Sequence, residues 1–291
     1  MTADDGGTTS GYSPTPRPTF DGPTVIRFDD AVVATWGDDV SGRVHDRIFV
    51  SSSKIHHLVF ELAPHAAFTH SEAYRTVFAA HESLLVLSGM LALANPQTGE
   101  VVRAAPGESI VFGPDTWHHG FNESAEQLRV LEFFAPPPST GTSGAYAQTK
   151  PMLEKSVYTR DDLLAEWPPI APSIDRATLR VVRDTDLLWR LEGDEHRTLC
   201  GIVASSKDLT AGKLFLPPGR GTDHRSHGGD LAAMIVEGSV SVELLSSEDT
   251  QNADLGTLDG FYVTEGARYR LENRSAHPAV VAFGVGLRYR A

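Results

Sequence analysis

The stretch VSSSK at residues 50–54 returns as VASSK at residues 203–207, and this repetition decides the fold. Trp36 and Trp189 stand at the same spacing of 153 positions. Ordered blocks at one spacing predict an internal duplication, with two unrelated β-domains of similar turn chemistry as the alternative. Three more pairs keep the chain order. Residues 25–27 match residues 178–180 at a spacing of 153. Residues 61–65 match residues 215–219, and His70 matches His224, both at a spacing of 154.

Each half consists of short alternating or apolar runs that Gly, Pro, Asn and Asp interrupt, as in residues 84–107. This pattern is typical of antiparallel sheets in a sandwich or barrel. The longest apolar runs are strand-sized and far below the roughly 20 residues that a membrane helix needs. We therefore expect an all-β chain of two barrels and no membrane partner.

Composition shifts divide the chain into four parts. Residues 1–20 are rich in Thr, Pro and Gly, and we expect them to form a disordered leader. The two barrels are predicted over residues 21–138 and 176–291. The linker between them, residues 139–175, begins near a triple proline and contains a predicted helix over residues 159–167, with Thr159 as its cap and a proline after it.

Charge and cysteine content exclude several functional classes. The chain has 25 Lys and Arg against 38 Asp and Glu, a net charge of −13, and no basic run, so we expect no nucleic-acid partner. The single cysteine, Cys200, cannot form an internal disulfide or a thiolate cluster, so any metal site must use His and carboxylates. No signal pattern opens the sequence, and we expect a cytoplasmic protein.

Two motifs in the first half resemble those of the cupins, G-x5-H-x-H-x3,4-E-x6-G and G-x5-P-x-G-x2-H-x3-N. Glu82-x6-Gly89 matches the end of the first motif, and Gly107-x10-His118-x3-Asn122 matches the second, with glycine and aspartate in place of its proline and central glycine. With the duplication, the sequence resembles a bicupin. The resemblance implies two jelly-roll barrels with a short helical linker and a metal centre.

The resemblance implies His118 and Glu82 as metal ligands, together with an upstream pair for which His70-Ser71-Glu72 stands in place of His-x-His. Nine residues separate Glu72 from Glu82 where the family has three or four, which indicates an insertion. Imidazole and carboxylate ligands suit one divalent ion, Fe(II) first, with Mn, Ni or Zn as alternatives. Surface positions for His70 and Glu82 are the alternative.

Several histidines leave the assignment open. Strand alternation lets only one of His118 and His119 point into the barrel; motif spacing favours His118, and alignment on the nearby proline favours His119. His81 is another alternate ligand. His56 and His57 are candidates for the substrate pocket, with a structural role as the alternative.

In the second half the motif positions survive without their ligands. His70 corresponds to His224, Glu82 to Leu231, His118 to Tyr269 and Asn122 to Asn273. Leucine and tyrosine cannot replace the lost carboxylate and imidazole, and His224 and His227 remain a weak pair. We expect a metal only in the first barrel.

These observations favour a metal-dependent enzyme that acts on a small organic molecule in the first barrel. Analogy with bicupins ranks a non-haem dioxygenase-type oxidoreductase first and an isomerase, decarboxylase or cyclase next. The contrasting hypothesis is a non-catalytic small-molecule-binding bicupin. Because jelly-roll sheets leave edge strands that need covering, we expect a homodimer.

Overall fold

The computed structural model describes residues 11–138, 143–165, 177–246 and 250–290. These residues form 21 β-strands, one α-helix and three turns of 3-10 helix, so the all-β prediction is confirmed. The strands of the first half are β1 (Thr24–Ile26), β2 (Val32–Asp38), β3 (Gly42–Ser51), β4 (His56–Leu62), β5 (Ala67–Phe68), β6 (His81–Ser88), β7 (Leu91–Asn95), β8 (Glu100–Ala104), β9 (Ser109–Phe112), β10 (His119–Asn122) and β11 (Leu128–Ala135). Those of the second half are β12 (Arg180–Val182), β13 (Leu188–Glu192), β14 (Thr198–Ser205), β15 (Leu209–Leu216), β16 (Gly228–Glu237), β17 (Ser239–Leu245), β18 (Thr250–Gly256), β19 (Gly260–Val263), β20 (Arg268–Glu272) and β21 (Ala279–Arg288).

Each half folds as two antiparallel sheets that enclose one core. In the first half the large sheet has the order β12-β9-β6-β11-β4-β3-β2 and faces the small sheet β5-β10-β7-β8. In the second half the large sheet is β1-β19-β16-β21-β15-β14-β13, and the small sheet is β18-β17-β20. These are the two jelly-roll barrels that the sequence predicts.

The large sheets pack against each other and bury both faces of their central strands. Along β4, Leu58 and Phe60 belong to the core of the first barrel, whereas Val59 between them belongs to a second apolar cluster. That cluster contains residues of both halves, among them Phe133 and Met234. Successive side chains of a strand point to opposite faces, so all seven residues of β4 are buried.

Glycines allow the two barrels to approach closely. A Cβ atom on Gly286 would lie 2.4 Å from the carbonyl oxygen of Lys54, and one on Gly284 would lie 2.6 Å from the ring of Phe133. Both distances are too short for any side chain. Part of the interface between the barrels therefore depends on the absence of a Cβ atom.

The barrels exchange edge strands. Strand β1, from the first half, pairs with β19 of the second barrel, and β12, from the second half, pairs with β9 of the first barrel. An ion pair of 2.7 Å between Arg27 and Asp259 joins the chain just after β1 to the second barrel. The two halves are thus joined by backbone hydrogen bonds as well as by apolar packing.

The structure confirms the duplication and corrects its register. The hydroxyls of Ser52 and Ser206 accept the same pair of backbone N–H bonds in equivalent turns, so Ser52 corresponds to Ser206 and not to Ser205. The beginning of β1 lies 156 positions before that of β12. The match of residues 25–27 with 178–180, at a spacing of 153, is therefore displaced by three residues. Trp36 and Trp189 are therefore not equivalent: Trp36 packs against the first core, and Trp189 is exposed. A shift by an odd number of residues reverses the face of a strand.

The linker contains its helix at a different place from the predicted one. The α-helix α1 spans Ser143–Gln148, and the predicted helix over residues 159–167 begins as a single 3-10 turn at Asp161–Leu163 whose preceding residue forms no side-chain cap. Residues 166–176 lie outside the described residues. No helix in the described residues is both long and apolar enough to cross a membrane.

Candidate active site in the first barrel

The first barrel contains a cavity that opens to solvent. Its wall is mostly apolar and aromatic, which is typical of sites for small organic molecules. The apolar lining consists of Trp36, Val44, Leu58, Phe60, Phe68, Phe78, Leu84, Phe134 and Pro138. The polar lining consists of Thr15, Arg17, Asp46, Ser51, His56, Thr76, His118 and Glu132.

Three buried carboxyl groups cross the large sheet diagonally beneath this cavity. Glu82 lies on β6, Glu132 on β11 and Asp46 on β3, and these residues are 2%, 6% and 6% exposed. No Lys or Arg in the described residues forms an ion pair with any of them. Burial raises the pKa of Asp46 to about 8, and burial together with Glu132 raises the pKa of Glu82 well above its usual range.

Glu82 and Glu132 interact directly. They are hydrogen-bonded to each other, and burial, with the nearby Asp46 charge, raises the pKa of Glu132. A hydrogen bond between two carboxyl groups requires a proton between them. The second oxygen of Glu82, Oε2, is buried and has no hydrogen-bond partner within the described part of the chain.

The free oxygen of Glu82 faces His118. The distance between Oε2 of Glu82 and Nε2 of His118 is 3.8 Å. Nδ1 of His118 lies 3.2 Å from the carbonyl oxygen of Thr116, which can only accept, so Nδ1 carries the proton and Nε2 presents its lone pair. Burial lowers the pKa of His118 to about 4, which keeps the ring neutral at pH 7. The rings of Phe68, Phe78 and Phe112 pack around the imidazole.

The structure answers the question of which histidine faces the barrel. His118 lines the cavity, and His119, the next residue, points to the outer side of the small sheet. There His119 lies 2.7 Å from Nδ1 of His70 and 2.8 Å from the hydroxyl of Tyr158. Nε2 of His70 in turn donates to the carbonyl oxygen of Leu153, so the two histidines attach the linker to the barrel.

The predicted ligand set is therefore not gathered in one place. Glu82 and His118 lie together inside the barrel, His70 lies outside it with His119, and Glu72 is exposed with its carbonyl bonded to Gln148. The alternate ligand His81 contacts Asp208 of the second barrel at 3.2 Å. Among the described residues no three His, Cys, Asp or Glu side chains are placed together in a geometry that holds an ion.

Two donors nevertheless suit a divalent metal ion. A neutral imidazole that donates Nδ1–H to a backbone carbonyl and directs Nε2 at the site is the usual state of a metal-binding histidine. The unpartnered buried oxygen of Glu82 faces that nitrogen, and the Glu132 carboxyl adjoins it. The donor chemistry fits a metal held by Glu82 and His118.

His56 and His57, the two candidates for the substrate pocket, lie on opposite faces of β4. His56 lines the cavity, and its Nδ1 atom is buried without a hydrogen-bond partner among the described residues. His57 lies between the barrels, its ring 4.9 Å from those of Phe49 and Phe133. Burial lowers the pKa of both histidines to about 3. Because successive residues of β4 point to opposite faces, His56 faces the cavity and His57 faces the interface between the barrels.

Sequence reasoning missed most residues of this wall. The charged residues Asp46 and Glu132 stand at inward positions of apolar strands, a signal that alternation counting could have found. Thr76 and Phe78 line the cavity, and counting back from Glu82 by the cupin spacing puts the two family histidines on them. The segment after Glu72 is therefore part of the cavity wall.

In the second barrel a network of side chains surrounds the position that corresponds to His118. Strand register confirms the equivalence: Leu231 pairs with Val285 as Glu82 pairs with Phe134, and Tyr269 lies on β20 opposite β17. The hydroxyl of Tyr269 accepts from Nε of Arg225 at 3.2 Å and donates to Nε2 of His227 at 3.0 Å. Arg225 is also paired with Glu192 at 2.5 Å.

His224, the other predicted remnant, lies away from this network. Its Nε2 atom is 3.2 Å from a carboxylate oxygen of Glu243, and both side chains are partly exposed. The second barrel thus keeps the framework without gathering His224 and His227.

Comparison with solved structures identifies the architecture. A mutant of Bacillus subtilis oxalate decarboxylase OxdC superimposes with a TM-score of 0.63 at 13% identity, covering 97% of this chain and 81% of that one. E. coli Ylba gives a TM-score of 0.62 at 11% identity and 94% coverage of both chains. AerE from Microcystis aeruginosa gives 0.58 at 12% identity, covering 88% of this chain and 98% of that one. The chain has the bicupin fold.

At these identities the likeness concerns the fold of the bicupin and not its chemistry. No protein-family model and no curated protein matches the sequence. The function of this bicupin must therefore be argued from its own cavity.

Proposed function

We propose that the first barrel of this bicupin is the active site of a metal-dependent enzyme that acts on a small organic molecule. Glu82 and His118 would hold the ion, beside the Glu132 carboxyl. The observation that carries the proposal is the approach of Oε2 of Glu82, buried and unpartnered, to the lone pair of Nε2 of His118 at 3.8 Å. A divalent ion bound there would polarise an oxygen of the substrate as a Lewis acid.

The surrounding residues fix the orientation of these donors. The carbonyl of Thr116 holds the tautomer of His118, and three phenylalanine rings limit its rotation and exclude water from the imidazole. Asp46 lines the same cavity, and its raised pKa of about 8 leaves it protonated at neutral pH. It would supply a proton to a substrate group, since a general acid works best with a pKa near the working pH.

Dioxygenase chemistry with Fe(II) and decarboxylation are both compatible with this site. Analogy with bicupin enzymes ranks the dioxygenase first, and the similarity to the fold of oxalate decarboxylase supports decarboxylation equally. Mn(II) centres are described for the B. subtilis decarboxylase. Fe(II) and Mn(II) are therefore the two ions to test.

A metal-free binding protein or acid–base catalyst is the second candidate. It is favoured by Thr76 and Phe78, which stand where the cupin spacing puts two histidines and provide no strong ligand. In that case the proton shared by Glu82 and Glu132 would take the place of the ion. Metal binding separates the two candidates.

The test is calorimetric titration of the chelator-treated protein with Mn²⁺ and, without oxygen, with Fe²⁺. We expect one ion per chain and an affinity reduced by at least about 10- to 100-fold in Glu82→Gln and in His118→Ala. His119→Asn is the matched control, because His119 is adjacent in sequence but lies outside the barrel. Equal metal binding by wild type, Glu82→Gln and His118→Ala would rule out the proposed centre.

A further inference from the structure

The N-terminal segment of the described chain forms part of the cavity wall. Two hydrogen bonds hold it: the Ser13 amide donates to the Tyr74 hydroxyl at 3.0 Å, and the Ser51 amide donates to the Pro18 carbonyl at 2.7 Å. Between these two contacts Arg17 lines the cavity. Residues 11–20, which the sequence assigns to a disordered leader, thus belong to the site, and residues 1–10 lie outside the described residues.

Arg17 is the one described side chain of the cavity lining that is positively charged at neutral pH. His56 and His118 on the same wall are neutral, because burial lowers the pKa of each to about 3 and about 4. Arg17 forms no ion pair with a described residue, although its charge acts on His56 and helps to lower that pKa. The guanidinium therefore lies at the His56 end of the cavity without a carboxylate partner.

An unpaired, partly buried guanidinium is a binding group for an anion. Partial burial lowers the pKa of Arg17, which means that the charge has lost some of its hydration. A carboxylate would restore the lost interactions through two parallel N–H···O bonds. An amine at the same place would be repelled.

The aromatic lining of the cavity favours a ligand with an apolar group beside its carboxylate. Trp36, Phe60, Phe68, Phe78 and Phe134 present aromatic surface to the same cavity as Arg17 and His118. Such a wall favours a flat apolar group, and a small dianion without an apolar body would leave it uncovered.

We propose that Arg17 binds the carboxylate of the small molecule taken up by the first barrel, so that its ligands are carboxylic acids with an aromatic or similarly bulky apolar body. This inference rests on the proposed function in that it uses the same cavity. It does not depend on the metal.

Three probes with one ring and different charge test the inference: benzoate, benzamide and benzylamine. Their dissociation constants are measured by calorimetry on the full chain, once after chelator treatment and once with Mn²⁺. We expect wild type to prefer benzoate over benzamide by at least about tenfold and to bind benzylamine least. Arg17→Gln should remove the preference for benzoate, and Arg17→Lys should retain part of it.

The control is Arg43→Gln, since Arg43 is exposed and paired with Asp39 away from the cavity lining. It should leave all three constants unchanged. A benzoate preference that persists in Arg17→Gln, a preference for benzamide or benzylamine, or the absence of binding by all three probes would overturn the proposal.

Metal titration of the same variants separates this inference from the proposed function. Arg17→Gln should bind Mn²⁺ as wild type does, because Arg17 is not among the residues proposed to hold the ion. Loss of the benzoate preference in Arg17→Gln, together with no metal binding by wild type, would support the role of Arg17 and reject the metal centre. A benzoate preference that persists in Arg17→Gln, together with metal binding by wild type, would reject only the role of Arg17.

Discussion

Nε2 of His118 lies 3.8 Å from Oε2 of Glu82, and no other described residue satisfies that oxygen. The two residues belong to different sheets of the first barrel, His118 just before β10 and Glu82 on β6. Their equivalents in the second barrel are Tyr269 and Leu231, which hold no comparable pair of donors. We therefore expect the proposed chemistry in the first of the two related barrels.

The stability of the metal-free protein should fall as the pH rises because of Asp46. Burial raises its pKa from 3.8 to about 8, so between these values the folded chain retains a proton that the unfolded chain releases. Its stabilising contribution is complete below the unfolded pKa and is lost as the pH rises through the folded one. Relative to Asp46→Asn, the unfolding free energy of wild type should fall by up to about 1.4 kcal/mol per pH unit between about pH 5 and pH 7.

Urea unfolding in the presence of a chelator measures this difference. The comparison with Asp46→Asn cancels the groups that titrate alike in both proteins. A difference between the two proteins that does not change with pH would show that Asp46 titrates normally.

The substitution Gly286→Ala should destabilise the contact between the barrels. The new Cβ atom would lie 2.4 Å from the carbonyl oxygen of Lys54, so the backbone must shift. We expect a loss of about 1–3 kcal/mol, the usual cost of overpacking, measured by thermal or urea unfolding. Gly256→Ala is the control, because its Cβ atom would meet nothing within 4 Å, and an equal loss in both variants would contradict this account.

Arg225 and Glu192 should stabilise the second barrel only as a pair. Their side chains are 11% and 14% exposed and lie 2.5 Å apart, so removing one leaves a charge poorly solvated. Arg225→Met alone should cost about 3–5 kcal/mol of unfolding free energy, and adding Glu192→Leu should restore part of the loss. Simple addition of the two single losses would contradict the pairing.

The predicted homodimer remains to be tested, and the structure indicates where to look. Strands β2 and β13 form free edges of the two large sheets within the described residues, and Leu188 and Leu191 on β13 are 63% and 67% exposed. Because apolar edge strands favour pairing with a second copy, we expect light scattering to give about twice the 31.5 kDa of one chain. Leu191→Lys should lower that mass and Val101→Lys, on a strand of a small sheet, should not; a wild-type mass of one chain would contradict the dimer.

The sequence predicts the barrels well because their signals are local. Alternation and turn residues specify strands, and the equivalence of Asn122 with Asn273 is confirmed, since each side-chain amide donates to the carbonyl at the end of the facing strand, Leu62 or Leu216. Strand register also confirms that Glu82 in the first barrel corresponds to Leu231 in the second.

The path of the loop before β6 could not be read from the sequence. His70 has the right residue type and a plausible distance from Glu82, but contacts with Leu153 and His119 hold it outside the barrel. Those contacts depend on where the linker crosses the small sheet, which is a tertiary property. The exchange of β1 and β12 escapes prediction for the same reason, because a three-residue strand does not specify which sheet it joins.

A crystal structure of the protein soaked in Mn²⁺, with anomalous diffraction to locate the ion, tests the proposed metal centre most directly. We expect one anomalous peak per chain, inside the first barrel between Glu82 and His118, and its loss in Glu82→Gln. A peak at His70 and His119, a peak in the second barrel, or no peak inside the first barrel would contradict the proposed centre.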